Sequence, residues 1–444
     1  DVRWCGNEAG GTRSTEWNVI PYLANPDTMS NFADMTDKDL GSREQLYKAK
    51  YLHYQQAETN TSIREGWFYR DDTHQKVRST DDVFDIYERA VGGNSTFLLN
   101  IPPNRDGKFS PTDVAVLKET GQRIRETYGT DLFRQAKGPK EVLDQNADTY
   151  VTADKDGAGI VISTPQPVTL NRLVLQEAIA TNGERVERHA VDAWIDGGWK
   201  EIAYATNIGY KRILRFPDVT TDKIRVRILE SRLTPAICTI SAHHYKARPP
   251  RLSAQRSMDG LVTIEPMAQE FGWKAHGENI AENLNAGFKI YYTTDGTEPS
   301  AGSTEYKAPF LMGNSELKAV AILNGEKGAI LQERFGLVKK GWKIADKTAQ
   351  SLAIDLGSQQ TVSGFAFTPQ KQGGKGTVAG IIRISNDGKN WKEVERFEFG
   401  NLINDPSKRY HHFKQTVKAR YVQVEAAEIA AHTEAAALAG IDIF

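Results

Sequence analysis

The segment Val2-Arg3-Trp4-Cys5-Gly6-Asn7-Glu8-Ala9-Gly10 places an arginine and a tryptophan at a strand end, then a carboxylate in a glycine-flanked loop. A carboxyl group walled by Trp4 suits general acid chemistry, because a raised pKa lets it protonate the oxygen of a departing group. The same spacing also fits a plain ion pair between Glu8 and Arg3. A second segment runs from Glu58 through Asn60, Arg64, Glu65, Gly66 and Trp67 to Phe68 and Tyr69, combining a carboxylate with an aromatic cluster. Aromatic faces beside hydrogen-bonding side chains suit sugars. The alternative here is a Glu58–Arg64 salt bridge with Trp67 as packing. A third segment, Leu98-Leu99-Asn100-Ile101-Pro102-Pro103-Asn104-Arg105-Asp106-Gly107, reads as a strand entering a proline-stiffened loop, a structural feature first of all.

The surrounding elements must bring these segments together. Ser79-Thr80-Asp81-Asp82 caps a helix whose Val83, Ile86, Tyr87 and Ala90 share one face, and Gly92-Gly93-Asn94 stops it. The nearly unbroken apolar run Thr96–Ile101 predicts a strand buried on both faces of a parallel sheet. Ser110-Pro111 then starts a second helix with an apolar stripe of Val114, Leu117, Ile124 and Tyr128. Helix, strand, loop and helix in this order predict the C-terminal part of a (β/α)8-type barrel over residues 1–137, with its chemistry on the loops that follow the strands.

From residue 138 the pattern changes to short alternating strands, with Asp196-Gly197 as a hairpin turn, which predicts a β-sandwich over 138–247. The stiff run Arg248-Pro249-Pro250-Arg251 closes it. A smaller β-sandwich is expected over 248–336 and another full one over 337–444. Asp196-Gly197-Gly198-Trp199 and Asp387-Gly388-Lys389-Asn390-Trp391 mark a diverged repeat, in which Trp391 is expected in the core. Tyr410, His411 and His412 are candidates to line a loop site in the last module.

Composition bounds the function. A formal net charge of -1 argues against nucleic acid or an anionic membrane as partner. No run approaches the ~18 apolar residues of a membrane span. Cys5 and Cys238 lie far apart and read as buried free thiols, with neither a disulfide nor a zinc site expected. No cofactor or metal is implied. Asp1 opens the chain at the business end of a strand, which predicts a preceding segment.

The three segments at the start, in their order and spacing, resemble glycoside hydrolase family 29, the α-L-fucosidases, over residues 1–133. The form Arg3-Trp4-Cys5-Gly6-Asn7-Glu8-Ala9-Gly10 is similar to the branch acting on α-1,3/1,4-fucosyl linkages of Lewis-type glycans. The resemblance implies Glu8 as general acid/base, with Glu58 second and Glu16 third. It also implies that Arg3, Glu58 and Trp67 bind substrate, and Trp4 and Arg64 beside them are further substrate-binding candidates. Asn60 and Glu65 depart from the family pattern of Asp and Pro. The family's nucleophile, an aspartate in Trp-x-Asp-Gly, is expected upstream of Asp1. The one such stretch here, Trp194-Ile195-Asp196-Gly197, reads as a hairpin turn in the sandwich, so this chain alone is expected to be inactive. Residues 138–247 and 337–444 resemble discoidin-like modules, and 286–310 resemble an immunoglobulin-like spacer. The implied partners are fucosylated oligosaccharides or glycoproteins, met in a secreted, periplasmic or cell-surface setting. The alternative is a glycan-binding or adhesion protein with a degenerate barrel.

Overall fold

A computed structural model describes residues 2–22, 34–64, 66–71, 75–152, 159–266, 287–368, 376–399, 408–430 and 440–444. Glu65 lies outside them. The described chain forms two compact units, divided between Ala247 and Arg248. No helix among these residues is long and apolar enough to cross a membrane.

The first unit opens with β1 (Val2–Trp4), β2 (Val19–Tyr22), α1 (Arg43–Lys48), β3 (Tyr51–Tyr54), β4 (Gln56–Ser62), α2 (Thr80–Val91), β5 (Thr96–Asn100) and α3 (Pro111–Tyr128). Strands β1, β4 and β5 form a parallel sheet in the order β1-β4-β5, while β2 and β3 pair antiparallel beside it. Ser79 Oγ accepts the Asp82 N–H at 3.1 Å and starts α2, as the capping residues predict. Gly92 ends it at a close approach: a Cβ there would stand 2.5 Å from Ile213 Cβ.

Two expectations are corrected. Strand β5 is not buried on both faces. Among the described residues it is an edge strand, and Thr96 and Leu98 are exposed. Helix α3 buries Asp113, Thr120, Arg123 and Thr127, rotated from the apolar stripe read in the sequence. Its inward face is polar because it takes charge partners: Asp113 pairs with Arg64, and Arg123 with Asp81 and Glu119.

The rest of this unit is an antiparallel sheet of β6 (Val151–Thr152), β7 (Ile160–Glu177), β8 (Val186–Ile195), β9 (Gly198–Ala205), β10 (Arg212–Ser231) and β11 (Ala236–His243), in the order β6-β11-β7-β10-β8-β9. Its core is aliphatic, built on Leu170, Leu173, Leu175, Ile224 and Val226. Asp196 and Gly197 both have positive φ, 53° and 80°, as a two-residue hairpin turn requires. Buried charges tie α2 to this sheet. Arg172 Nε donates to Glu88 Oε1 at 2.6 Å, and Arg215 bridges Asp85 at 2.8 Å and Glu88 at 3.3 Å.

In the second unit, strands Lys289–Thr293 and Ser315–Leu323 form the centre of one small sheet, and Leu252–Arg256 and Leu261–Pro266 pair in another. The last module pairs Ser351–Phe367 with Arg409–Ala430, then Gly376–Ser385 and Lys392–Glu398, while Ile441–Ile443 returns to Ser351–Phe367. This repeats the β7-β10-β8-β9 order, with β11 returning to β7, so the sequence repeat is also a repeat of topology. Trp391 is half-buried, edge-on to Tyr421 at 6.5 Å, and is not a core residue. Tyr410, His411 and His412 lie in a strand and not in a loop. His411 packs 5.9 Å from Phe365, and the Tyr410 hydroxyl donates to Glu333 at 3.0 Å.

Candidate active site

Side chains alternate across a sheet, and residues paired in parallel strands share a face. The register Trp4↔Glu58↔Thr96, with Asn60↔Leu98 and Ser62↔Asn100, therefore sets Trp4, Glu58, Asn60 and Asn100 on one face. That face is the open one: Trp4 is 41% exposed. Arg3, paired with Ala57, belongs to the opposite, buried face.

The loop after β1 is fixed to β4. Cys5 N–H donates to the Glu58 carbonyl at 3.0 Å, and Gly10 N–H to the Asn60 carbonyl at 3.1 Å. Between them the Asn7 side chain closes the turn, accepting Gly11 N–H at 2.9 Å and donating to the Gly11 carbonyl at 3.1 Å. Trp4 Nε1 donates to the Asn7 carbonyl at 2.9 Å. Gly6 has φ 86°, and a Cβ there would meet the Met35 carbonyl oxygen at 2.5 Å, so only glycine fits. The product is a rigid turn that presents the Glu8 carboxylate to solvent.

Trp67 Nε1 donates to Glu8 Oε2 at 2.9 Å. The Trp67 carbonyl in turn accepts Asn100 Nδ2 at 2.9 Å, and the same amide reaches Ser62 Oγ at 3.1 Å. The ends of β1, β4 and β5 thus meet at one carboxylate through the indole. Glu58 lies on the same face, and among the described residues its carboxylate has neither ion pair nor hydrogen bond. Asn60 Oδ1 is buried there without a partner among the described residues. The ion pair between Glu8 and Arg3 does not form, and neither does the Glu58–Arg64 bridge.

Three candidates are corrected. Arg3 is buried with its guanidinium on Glu16 and the Trp17 carbonyl, across the sheet from Glu58, and so it faces away from the open site. Glu16 is fully buried between Arg3 and Arg13, the latter at 2.9 Å, an ion-pair centre with no route to an acid/base role. Arg64 is also fully buried: Nε donates to Asp113 Oδ2 at 2.9 Å, and Nη1 to the Asp71 carbonyl at 2.8 Å. It secures the loop that carries Trp67 and is turned into the interior, away from solvent. Cys5 is a buried free thiol pushed up to about 11, chiefly by burial and then by Glu16 beside it.

The sequence marks Asn100 only as part of a structural strand, and Asn60 only as a departure from a pattern. The two-residue step from Glu58 to Asn60, and the pairing of β5 with β4, are the signals that place them on the site face. Glu184 had no signal in sequence. It reaches from the β8 side to accept Asn18 N–H at 2.9 Å, Asn18 Nδ2 at 2.8 Å and Asn94 Nδ2 at 2.7 Å. Asn18 Oδ1 accepts the Ala57 N–H at 2.7 Å, which pins β4 one residue before Glu58. Asp196 is fully exposed at its turn and paired with Lys200 at 2.8 Å, apart from this sheet.

Residues 22–128 match the alpha-L-fucosidase family model, 280–335 the Fn3 associated model, and 312–440 the F5/8 type C domain. The chain is 29% identical over 260 residues to alpha-L-fucosidase 1 of Arabidopsis thaliana, covering 53% of this chain and 48% of that protein. A crystal structure from Bacteroides ovatus ATCC 8483, assigned provisionally as an alpha-L-fucosidase, is 30% identical with a TM-score of 0.50, covering 100% of this chain and 62% of that one. The chain spans about half the length of the curated relatives it matches. These likenesses are to glycoside hydrolases. Residues 22–128 are thus similar to family 29, the alpha-L-fucosidases, and residues 312–440 to F5/8 type C, discoidin-like domains.

Proposed function

We propose that this chain carries the acid/base side of a retaining exo-α-L-fucosidase that removes α-1,3/1,4-linked fucose from Lewis-type glycans. The Trp67–Glu8 hydrogen bond carries the reading, because it joins two segments 59 residues apart at one carboxylate. The parallel β1-β4-β5 sheet with α2 and α3 supports a reading of this part as a portion of a (β/α)8-type barrel. Glu8 protonates the glycosidic oxygen while a carboxylate from a part of the catalytic domain not carried here attacks the anomeric carbon. The carbon–oxygen bond breaks and a covalent fucosyl-enzyme forms. Water then attacks the same carbon, passing its proton to Glu8, and configuration is retained. The two carboxyl groups should lie about 5–5.5 Å apart. Glu58 and Asn60, whose side-chain acceptors on the same face have no partner among the described residues, are assigned to hydrogen bonds with the fucose hydroxyls.

On this reading the chain alone is inactive. Its discoidin-like modules, over 138–247 and 337–444, and the immunoglobulin-like spacer between them keep the enzyme near its substrate by effective concentration. Its substrates place it outside the cytoplasm, as a secreted, periplasmic or cell-surface protein. The test is proton NMR of the complete protein acting on α-1,3- and α-1,4-fucosylated trisaccharides. Initial release of the α anomer supports the reading. Initial β anomer, or no release, contradicts it.

A further inference from the structure

Phe68 follows the tryptophan that holds Glu8, yet its ring is 84% exposed. The backbone beneath it is fixed. The Phe68 carbonyl accepts Gln75 Nε2 at 2.9 Å, and Gln75 Oε1 accepts the Arg70 N–H at 3.0 Å. On either side, Asn100 holds the Trp67 carbonyl and Arg64 holds the Asp71 carbonyl. A pinned loop therefore displays a large apolar ring to solvent beside the site, where it gains nothing from the core.

The chemistry of Glu8 says which side of the substrate this ring borders. An acid that protonates the glycosidic oxygen stands on the leaving-group side of the bond it helps to break. We infer that Phe68 is a platform for the leaving-group portion of the glycan, stacking on the apolar face of the sugar to which fucose is attached. It sets a preference for extended oligosaccharides over fucosides with a small leaving group. This inference rests on the acid/base assignment of Glu8.

The test compares Phe68→Ala and Phe68→Tyr in the complete protein on two substrates: an α-1,3/1,4-fucosylated trisaccharide and α-L-fucosyl fluoride, which has no leaving sugar. Loss of one aromatic contact lowers kcat/KM on the trisaccharide about three- to tenfold. The fluoride should be hydrolysed unchanged, and Phe68→Tyr should restore the trisaccharide rate. An equal fall on both substrates, or no fall on the trisaccharide, overturns the assignment. Glu8→Gln run in parallel separates the two levels. If it abolishes trisaccharide hydrolysis while Phe68→Ala leaves it intact, only the platform fails. If Glu8→Gln remains fully active, the platform and the acid/base reading fail together.

Discussion

Asp113→Ala removes a carboxylate bonded to a guanidinium that has no exposure of its own. Arg64 and Asp113 are both fully buried and meet through two contacts of 2.9 Å, Nε to Oδ2 and Nη2 to Oδ1. Deleting one partner of such a pair leaves an uncompensated buried charge and costs about 3–5 kcal/mol. For a unit of roughly 150–250 residues, each kcal/mol lowers the melting temperature by about 2–4 °C, so the first transition should fall by roughly 6–20 °C. The double variant Arg64→Met/Asp113→Leu removes both charges and should recover most of that loss. It also deletes the Arg64 bond to the Asp71 carbonyl, so the loop that carries Trp67 slackens and activity stays low although stability returns. Differential scanning calorimetry and kcat/KM on the complete protein read the two effects separately. An unchanged transition in Asp113→Ala refutes the buried pair. A substrate-binding Arg64 would instead raise KM on mutation with little change in melting.

Trp67→Phe keeps the ring but removes the donor to Glu8, a hydrogen bond worth about 0.5–1.5 kcal/mol, so kcat/KM should fall about two- to tenfold with melting unchanged. Asn100→Ala frees the Trp67 carbonyl and should lower kcat about fivefold, the equivalent of roughly 1 kcal/mol, with KM nearly constant in steady-state assays. Glu177 is pushed up to about 7 by burial, against backbone donors from Val186, Gly209 and Arg185. Between the ordinary carboxylate pKa of 4.5 and 7 the folded chain holds a proton that the unfolded chain has lost, so stability declines as pH rises through this window and levels above it. Glu177→Gln should make that decline shallower in melting curves across the window, Glu184 supplying part of what remains because burial raises it too. Equal slopes in variant and wild type contradict the assignment.

Local signals carried far in this sequence. The Ser79 cap, the Gly92 stop and the Asp196-Gly197 turn all follow from short-range backbone chemistry, and the structure has each. The site was legible where a motif fixes its own geometry, as Asn7 does for the Glu8 turn. It was not legible for Arg3 and Arg64. Both stand within a few residues of site carboxylates, but a one-residue step in a strand turns a side chain to the other face, and proximity in sequence does not report that. Their partners, Glu16 and Asp113, come from a loop and a helix whose docking is long-range. Asp113 also explains why the stripe of α3 was misplaced: hydrophobic periodicity cannot find a helix face that buries charges in pairs. The same limit hid Glu184, whose role depends on β8 lying beside the start of β4.

The most direct test of the catalytic assignment is azide rescue of Glu8→Ala in the complete protein with an aryl α-L-fucoside whose leaving group needs no protonation. With Glu8 as acid/base, the fucosyl-enzyme still forms but accumulates for want of a base, and azide enters from the face the aryl group left. The expected product is α-L-fucosyl azide, with rescued turnover. Formation of β-L-fucosyl azide would make Glu8 the nucleophile, and turnover that neither falls nor responds to azide would remove it from the chemistry.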